Sequence, residues 1–111
     1  MASGSVSNQK RPSPREADLQ SRCRTWAKTT HDIDSLKLTN KVGVPDCLFY
    51  AKGRVLFVEF KILNAHSRPI QTFMQDQIKA QGFQVEVVDD VLKFKKIIEE
   101  AFGETRTLAA P

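Results

Sequence analysis

Asp46, Glu59 and Lys61 are the residues whose types and spacing could do chemistry. They lie in the stretch from Val44 to Lys61, which reads Val-Pro-Asp-Cys-Leu-Phe-Tyr-Ala-Lys-Gly-Arg-Val-Leu-Phe-Val-Glu-Phe-Lys. Two apolar runs, Cys47 to Tyr50 and Val55 to Phe60, flank Lys52-Gly53, a strong short-range hairpin signal. A two-residue turn there sets Ala51 against Arg54, and counting outward sets Asp46 against Glu59. Side chains alternate along a strand, so Glu59 and Lys61 share one face while Phe60 points to the other. Directly opposed residues have Cβ atoms only about 4.5–5.5 Å apart. Two carboxylates that close repel unless a cation or a shared proton lies between them.

The chemistry this arrangement offers is that of a hard cation. Mg²⁺ prefers oxygen ligands and keeps several waters, so Asp46, Glu59 and the Phe60 carbonyl would suffice to hold it. Such an ion improves a water as a nucleophile and neutralises charge developing on a phosphate. Lys61 could orient or help deprotonate that water, or meet the phosphate as a point charge. The plainer reading makes Glu59 and Lys61 the solvated face of an edge strand. Val55 and Phe57 share that face and argue for burial instead.

Other residues qualify through the elements that must position this centre. Ser13-Pro14-Arg15-Glu16 combines a capping box with proline at the first helical position, and Leu19, Cys23, Trp26 and Ala27 follow at helical spacing. Glu16 is therefore either the far half of the cap or, three residues before Leu19, an inward carboxylate suited to a metal shell. Leu36 and Leu38 alternate with polar residues as a short strand leading into Val42-Gly43-Val44-Pro45. Pro69 opens a second helix with an apolar stripe of Ile70, Phe73, Met74 and Ile78, ended by Gly82. Gln71, in its first turn, could bond a metal ligand, a water or a phosphate. Ser67, Arg68 and Gln71 could meet a nucleic-acid backbone, because helix N-termini favour anions. Phe83 to Val88 forms a last strand. Asp89 or Asp90 caps a final helix carrying Val91, Phe94, Ile97, Ile98 and Phe102.

The order α-β-β-β-α-β-α implies one α/β domain with a mixed central sheet flanked by helices: an antiparallel meander, then a parallel strand reached through the crossover helix. At 111 residues and 41% apolar content the chain supports a single core. Residues 1–12 read as a disordered basic tail, 13–103 as the folded domain and 104–111 as a flexible tail. No apolar run reaches the length of a membrane span, and the first residues lack the apolar centre of a secretory signal. Cys23 and Cys47 sit in apolar segments without ligand spacing and read as reduced core residues, so a cytoplasmic location is expected. His31 and His66 show no ligand spacing and read as surface or loop residues, while Trp26 reads as core. Net charge is +4 and the pI is near 9.3, compatible with a polyanionic partner. Arg15 and Arg22 on the first helix, and Lys37 and Lys41 before the Gly-Val-Pro-Asp bend, are candidate phosphate contacts.

Gly43-Val44-Pro45-Asp46, then Glu59-Phe60-Lys61, then Gln71, resembles the pattern of the PD-(D/E)XK nuclease superfamily. Within it the chain is similar to a stand-alone VRR-NUC domain, the virus-type replication-repair nuclease module. The helical Glu16 and the strand Gly82-Phe83-Gln84-Val85 belong to the same pattern, which extends over Ser13 to Ile98. The resemblance implies a restriction-endonuclease-like core and Mg²⁺ or Mn²⁺ on Asp46 and Glu59. It also implies a catalytic role for Lys61 and supporting roles for Glu16 and Gln71. It implies a structure-selective DNA endonuclease in a bacterial or phage-infected cell, working as a homodimeric resolvase of four-way (Holliday) junctions, since symmetric cleavage needs two active sites. The last helix is the expected dimer face. The rival readings are a monomeric flap, nick or single-strand nuclease, and a non-catalytic nucleic-acid-binding subunit.

Overall fold

The computed structural model describes residues 13–39, 41–62 and 65–103; the expected tails, 1–12 and 104–111, lie outside them. The chain runs through α1 (Pro14–His31), β1 (Asp34–Lys37), β2 (Cys47–Ala51), β3 (Arg54–Phe60), α2 (Pro69–Ala80), β4 (Gln84–Val88) and α3 (Val91–Phe102). The strands form one sheet in the order β1-β2-β3-β4. The first two pairings are antiparallel and β3 pairs with β4 in parallel. This is the expected α/β architecture, and its local causes can be read in the residues.

Lys52 and Gly53 both have positive φ, 50° and 79°, the backbone that matches a two-residue hairpin to strand twist. Ala51 therefore pairs with Arg54 and Cys47 with Val58, which carries Asp46 to a position beside Glu59. Ser13 Oγ accepts the Glu16 N–H at 3.1 Å, and Asp90 Oδ1 accepts the Lys93 N–H at 2.8 Å, so both expected caps form. At the end of α1, Asp32 takes the left-handed conformation. The Asp32 and Ile33 N–H groups then bond the Lys28 and Ala27 carbonyls, a glycine-type helix ending made by aspartate.

Leu56, Val58 and Phe60 project to one face of the sheet and are buried with Cys47 and Phe49 from β2. Leu19, Cys23 and Ala27 of α1 and Phe94, Ile98 and Phe102 of α3 close over them. Phe94 is the hub, with ring centroids 5.1 Å from Phe49 and 6.1 Å from Phe60 and Trp26. Burying an aromatic side chain of this size contributes roughly 2–3 kcal/mol. The opposite face carries Val55, Phe57, Glu59 and Lys61, and α2 sits over part of it.

Three expectations are corrected. The buried side of α2 is Gln71, Met74 and Gln75, while Ile70 and Phe73 are exposed; the helix is turned so that its glutamines meet a polar centre. His31 is buried, packed edge-on to Trp26 with centroids 4.9 Å apart; the end of α1 folds over the core at that point. The last strand starts at Gln84, and Phe83 is exposed, edge-on to Phe57.

Candidate active site

The carboxylates come together at the end of the sheet where β2 begins and β3 ends. Pro45 is fully buried and fixes the entry to β2. The Asp46 carbonyl accepts the Leu38 N–H at 2.8 Å, which ties Asp46 to the strand on one side. Its Oδ2 accepts the Phe60 N–H at 2.8 Å, which ties it to the strand on the other. N–H and C=O of one strand residue point to the same side, so the Phe60 carbonyl faces the Asp46 side of β3. The next amide, Lys61 N–H, turns the other way to the Val88 carbonyl at 2.9 Å.

Glu59 is 2% exposed, which excludes the solvated-strand reading of this face. A carboxylate buried that deeply is costly unless hydrogen-bonded or paired. Gln71 Nε2 donates to Glu59 Oε2 at 2.8 Å, and Lys61 Nζ lies 3.6 Å from the same oxygen. The Gln71 amide works at both ends, since its Oε1 accepts the Arg68 N–H at 2.8 Å. One side chain thus satisfies an orphan donor of the α2 N-terminus and fixes the buried carboxylate of β3.

Glu16 Oε2 reaches across from α1 to accept the Ile62 N–H at 3.2 Å. The carboxylate therefore does not fold back as the far half of a capping box; it holds the backbone beside Lys61. Among the described residues no three His, Cys, Asp or Glu side chains form a metal-holding group. The donors at this end of the sheet are two carboxylates, Asp46 and Glu59, with main-chain oxygen beside them. That all-oxygen set suits a hard divalent cation in company with water, and the near-complete burial of Glu59 suits a site in which positive charge is supplied.

The candidate phosphate contacts divide. Lys37, Lys41, Ser67 and Arg68 lie on the segments bordering this end, with Ser67 Oγ accepting from Gln75 Nε2 at 3.3 Å. Arg15 and Arg22 lie instead on α1 beside Asp18, Asp89 and Asp90, and Arg22 pairs with Asp18 at 3.8 Å. Sequence reasoning passed over Gln20 and Gln75, both buried polar side chains. The signal available for Gln20 is its place one turn after Glu16 on the same helix.

Two solved structures share this fold. One, titled "VRR_NUC domain", matches with a TM-score of 0.71 and 25% identity over 78% of this chain and 97% of its own. The other, titled "VRR_NUC domain protein", has a TM-score of 0.68 at 17% identity over 82% of this chain and 90% of its own. This chain has the VRR-NUC fold. No family model and no curated protein matches the sequence, so the assignment rests on the path of the backbone. The likeness supports a nuclease-type domain. Among the described residues no helix is long and apolar enough to cross a membrane.

Proposed function

We propose that this protein is a divalent-metal-dependent DNA endonuclease that hydrolyses phosphodiester bonds in branched DNA, acting as a homodimer on four-way junctions. The observation that carries the reading is the buried Glu59 carboxylate, held by Gln71 at 2.8 Å with the Lys61 ammonium at 3.6 Å, beside Asp46 on the adjoining strand. A binding module has no need to bury a carboxylate between an amide and an ammonium.

Asp46, Glu59 and the Phe60 carbonyl would hold Mg²⁺ or Mn²⁺. A cation bound there supplies positive charge against the scissile phosphate and eases removal of a proton from the attacking water. Lys61 orients that water or receives a phosphate oxygen. Gln71 keeps the Glu59 carboxylate in one rotamer, and Glu16 fixes the strand end through Ile62. Lys37, Lys41, Ser67 and Arg68 hold neighbouring phosphates, giving salt-sensitive affinity that depends little on sequence. Two copies set two such centres at a fixed separation, and that separation selects the junction. The exposed large apolar side chains favour a dimer face elsewhere than α3. That helix contributes Leu92 alone, against Leu36, Tyr50, Ile70, Phe73 and Phe83 from the other elements and their connections.

Incubation of the purified chain with labelled junction, flap and linear DNA in Mg²⁺ or Mn²⁺ tests the reading, with Lys61→Ala alongside. Junction cleavage is expected, and Lys61→Ala should lower it by about 10²–10⁴-fold, the usual contribution of a proton-transferring side chain, while binding survives. Cleavage unchanged in Lys61→Ala would sink the assignment. Light scattering should give twice the monomer mass; flap cleavage by a monomer would favour the rival nuclease reading.

A further inference from the structure

Between α1 and the edge strand β1 runs an open groove of about 560 Å³, lined among others by Gln20, Arg24, Ser35 and Lys37. Three side chains in it have unused capacity. Gln20 is 4% exposed and makes no hydrogen bond among the described residues, and its amide stays open to the groove. Arg24 donates from Nε to Ser35 Oγ at 2.8 Å and from Nη2 to the Ser35 carbonyl at 3.4 Å. A guanidinium has five N–H donors, so three remain. No carboxylate among the described residues pairs with Arg24, and its charge is uncompensated. Lys37 ends β1 on the same face as Ser35, exposed and also without an ion pair among the described residues.

Charge is graded along the groove. At its far end Lys28 is occupied by Asp32 at 2.9 Å and Asp34 at 3.0 Å. At its near end Lys37 precedes Leu38, whose N–H bonds the Asp46 carbonyl. The uncompensated cations thus lie toward the catalytic end. Lys37 faces the α1 side of the sheet and the carboxylates face the other. Because β1 is the edge strand, a polyanion rounding that edge touches both.

We propose that the groove between α1 and β1 binds the phosphodiester backbone of the DNA strand that leaves the catalytic centre, through Gln20, Arg24 and Lys37. The proposal rests on the nuclease reading for its choice of ligand. A guanidinium with a free fork suits phosphate oxygens, and the neutral amide supplies a further donor without a counter-charge.

Fluorescence anisotropy of the full chain with labelled junction and duplex, in EDTA and across a series of salt concentrations, reads binding apart from hydrolysis. Arg24→Gln and Lys37→Ala should each weaken binding about tenfold and each flatten the slope of log K against log salt by about 1. Gln20→Ala should weaken binding without changing the slope, because it removes no charge. Lys79→Ala, at the end of α2 over the opposite edge of the sheet, should change neither. Wild-type affinity and slope in Arg24→Gln and Lys37→Ala would overturn the proposal. Should Arg24→Gln fail to fold, Ser21→Glu decides it: at this exposed groove position on α1 an added anion should weaken binding, and wild-type affinity there would overturn the proposal. Cleavage by the wild type in Mg²⁺ is scored separately. Groove-dependent binding without cleavage removes the nuclease reading and leaves the groove. Cleavage with unaltered binding in the variants removes the groove alone. A wild type that binds no DNA removes the groove as well.

Discussion

Gln71 shows how much one side chain can determine at this site. Its carbonyl oxygen must accept from Arg68 and its amide nitrogen must donate to Glu59, so neither alanine nor glutamate can replace it. Gln71→Ala strips a donor from a buried carboxylate, which costs about 1–3 kcal/mol and should lower cleavage by roughly 10–100-fold, as loss of a ligand-orienting partner does. Gln71→Glu sets a second carboxylate against Glu59 and should be worse in both respects at neutral pH. Thermal melts and cleavage rates on the same preparations check this; a fully active Gln71→Glu would remove the orienting role. Asp46, Glu59 and Lys61 were legible because hairpin counting fixes which side chains share a face. The partner of Glu16 was not legible, since nothing local links α1 to Ile62, 46 residues later.

The elements are positioned by close backbone approaches as well as by apolar faces. Gly43 has φ +90°, and a Cβ there would come within 2.7 Å of Ile70 Cγ1 and 2.9 Å of the Ile70 carbonyl oxygen. The loop before Asp46 therefore lies directly against the first turn of α2, the turn that presents Gln71. Gly43→Ala should destabilise the fold by roughly 3 kcal/mol, from backbone strain and overpacking together, and should lower activity by moving Asp46 relative to Gln71. Chemical denaturation measures the first effect and cleavage the second; wild-type stability would show that the approach is looser than described. Caps, the hairpin turn and the parallel crossover were all readable, because each has a local signature. The rotation of α2 was not. Its apolar stripe pointed to Ile70 and Phe73, yet satisfying Glu59 requires Gln71 to face inward, and an unmet buried carboxylate outweighs two exposed apolar side chains.

Across the whole molecule the core is buried enough to alter thiol chemistry. Burial pushes the Cys23 thiol up to about 12 from an ordinary 9.0. The folded state favours the protonated form, so this contribution is full below pH 9. It is lost as pH rises toward 12, because the unfolded chain ionises first. Lys28, raised by its hydrogen bonds to Asp32 and Asp34, acts in the same direction at higher pH, although it is exposed and contributes little. Denaturation midpoints should fall between pH 8 and pH 11, and Cys23→Ala should flatten that fall. A thiol reagent at pH 8 should leave Cys23 unmodified until the chain unfolds; rapid modification of the native protein would contradict the burial.

The sequence by itself determined what local rules specify: element order, hairpin register, helix caps and the trio Asp46, Glu59 and Lys61. Each depends on residues near one another in the chain, where backbone preference and alternation act directly. Tertiary structure alone decided which polar groups meet across elements, namely Glu16 with Ile62, Gln71 with Glu59, and Arg24 with Ser35. It also decided that Gln20 would be buried beside a groove. Those outcomes depend on how helices rotate and settle against the sheet, where apolar packing and the pairing of buried polar groups are decided together.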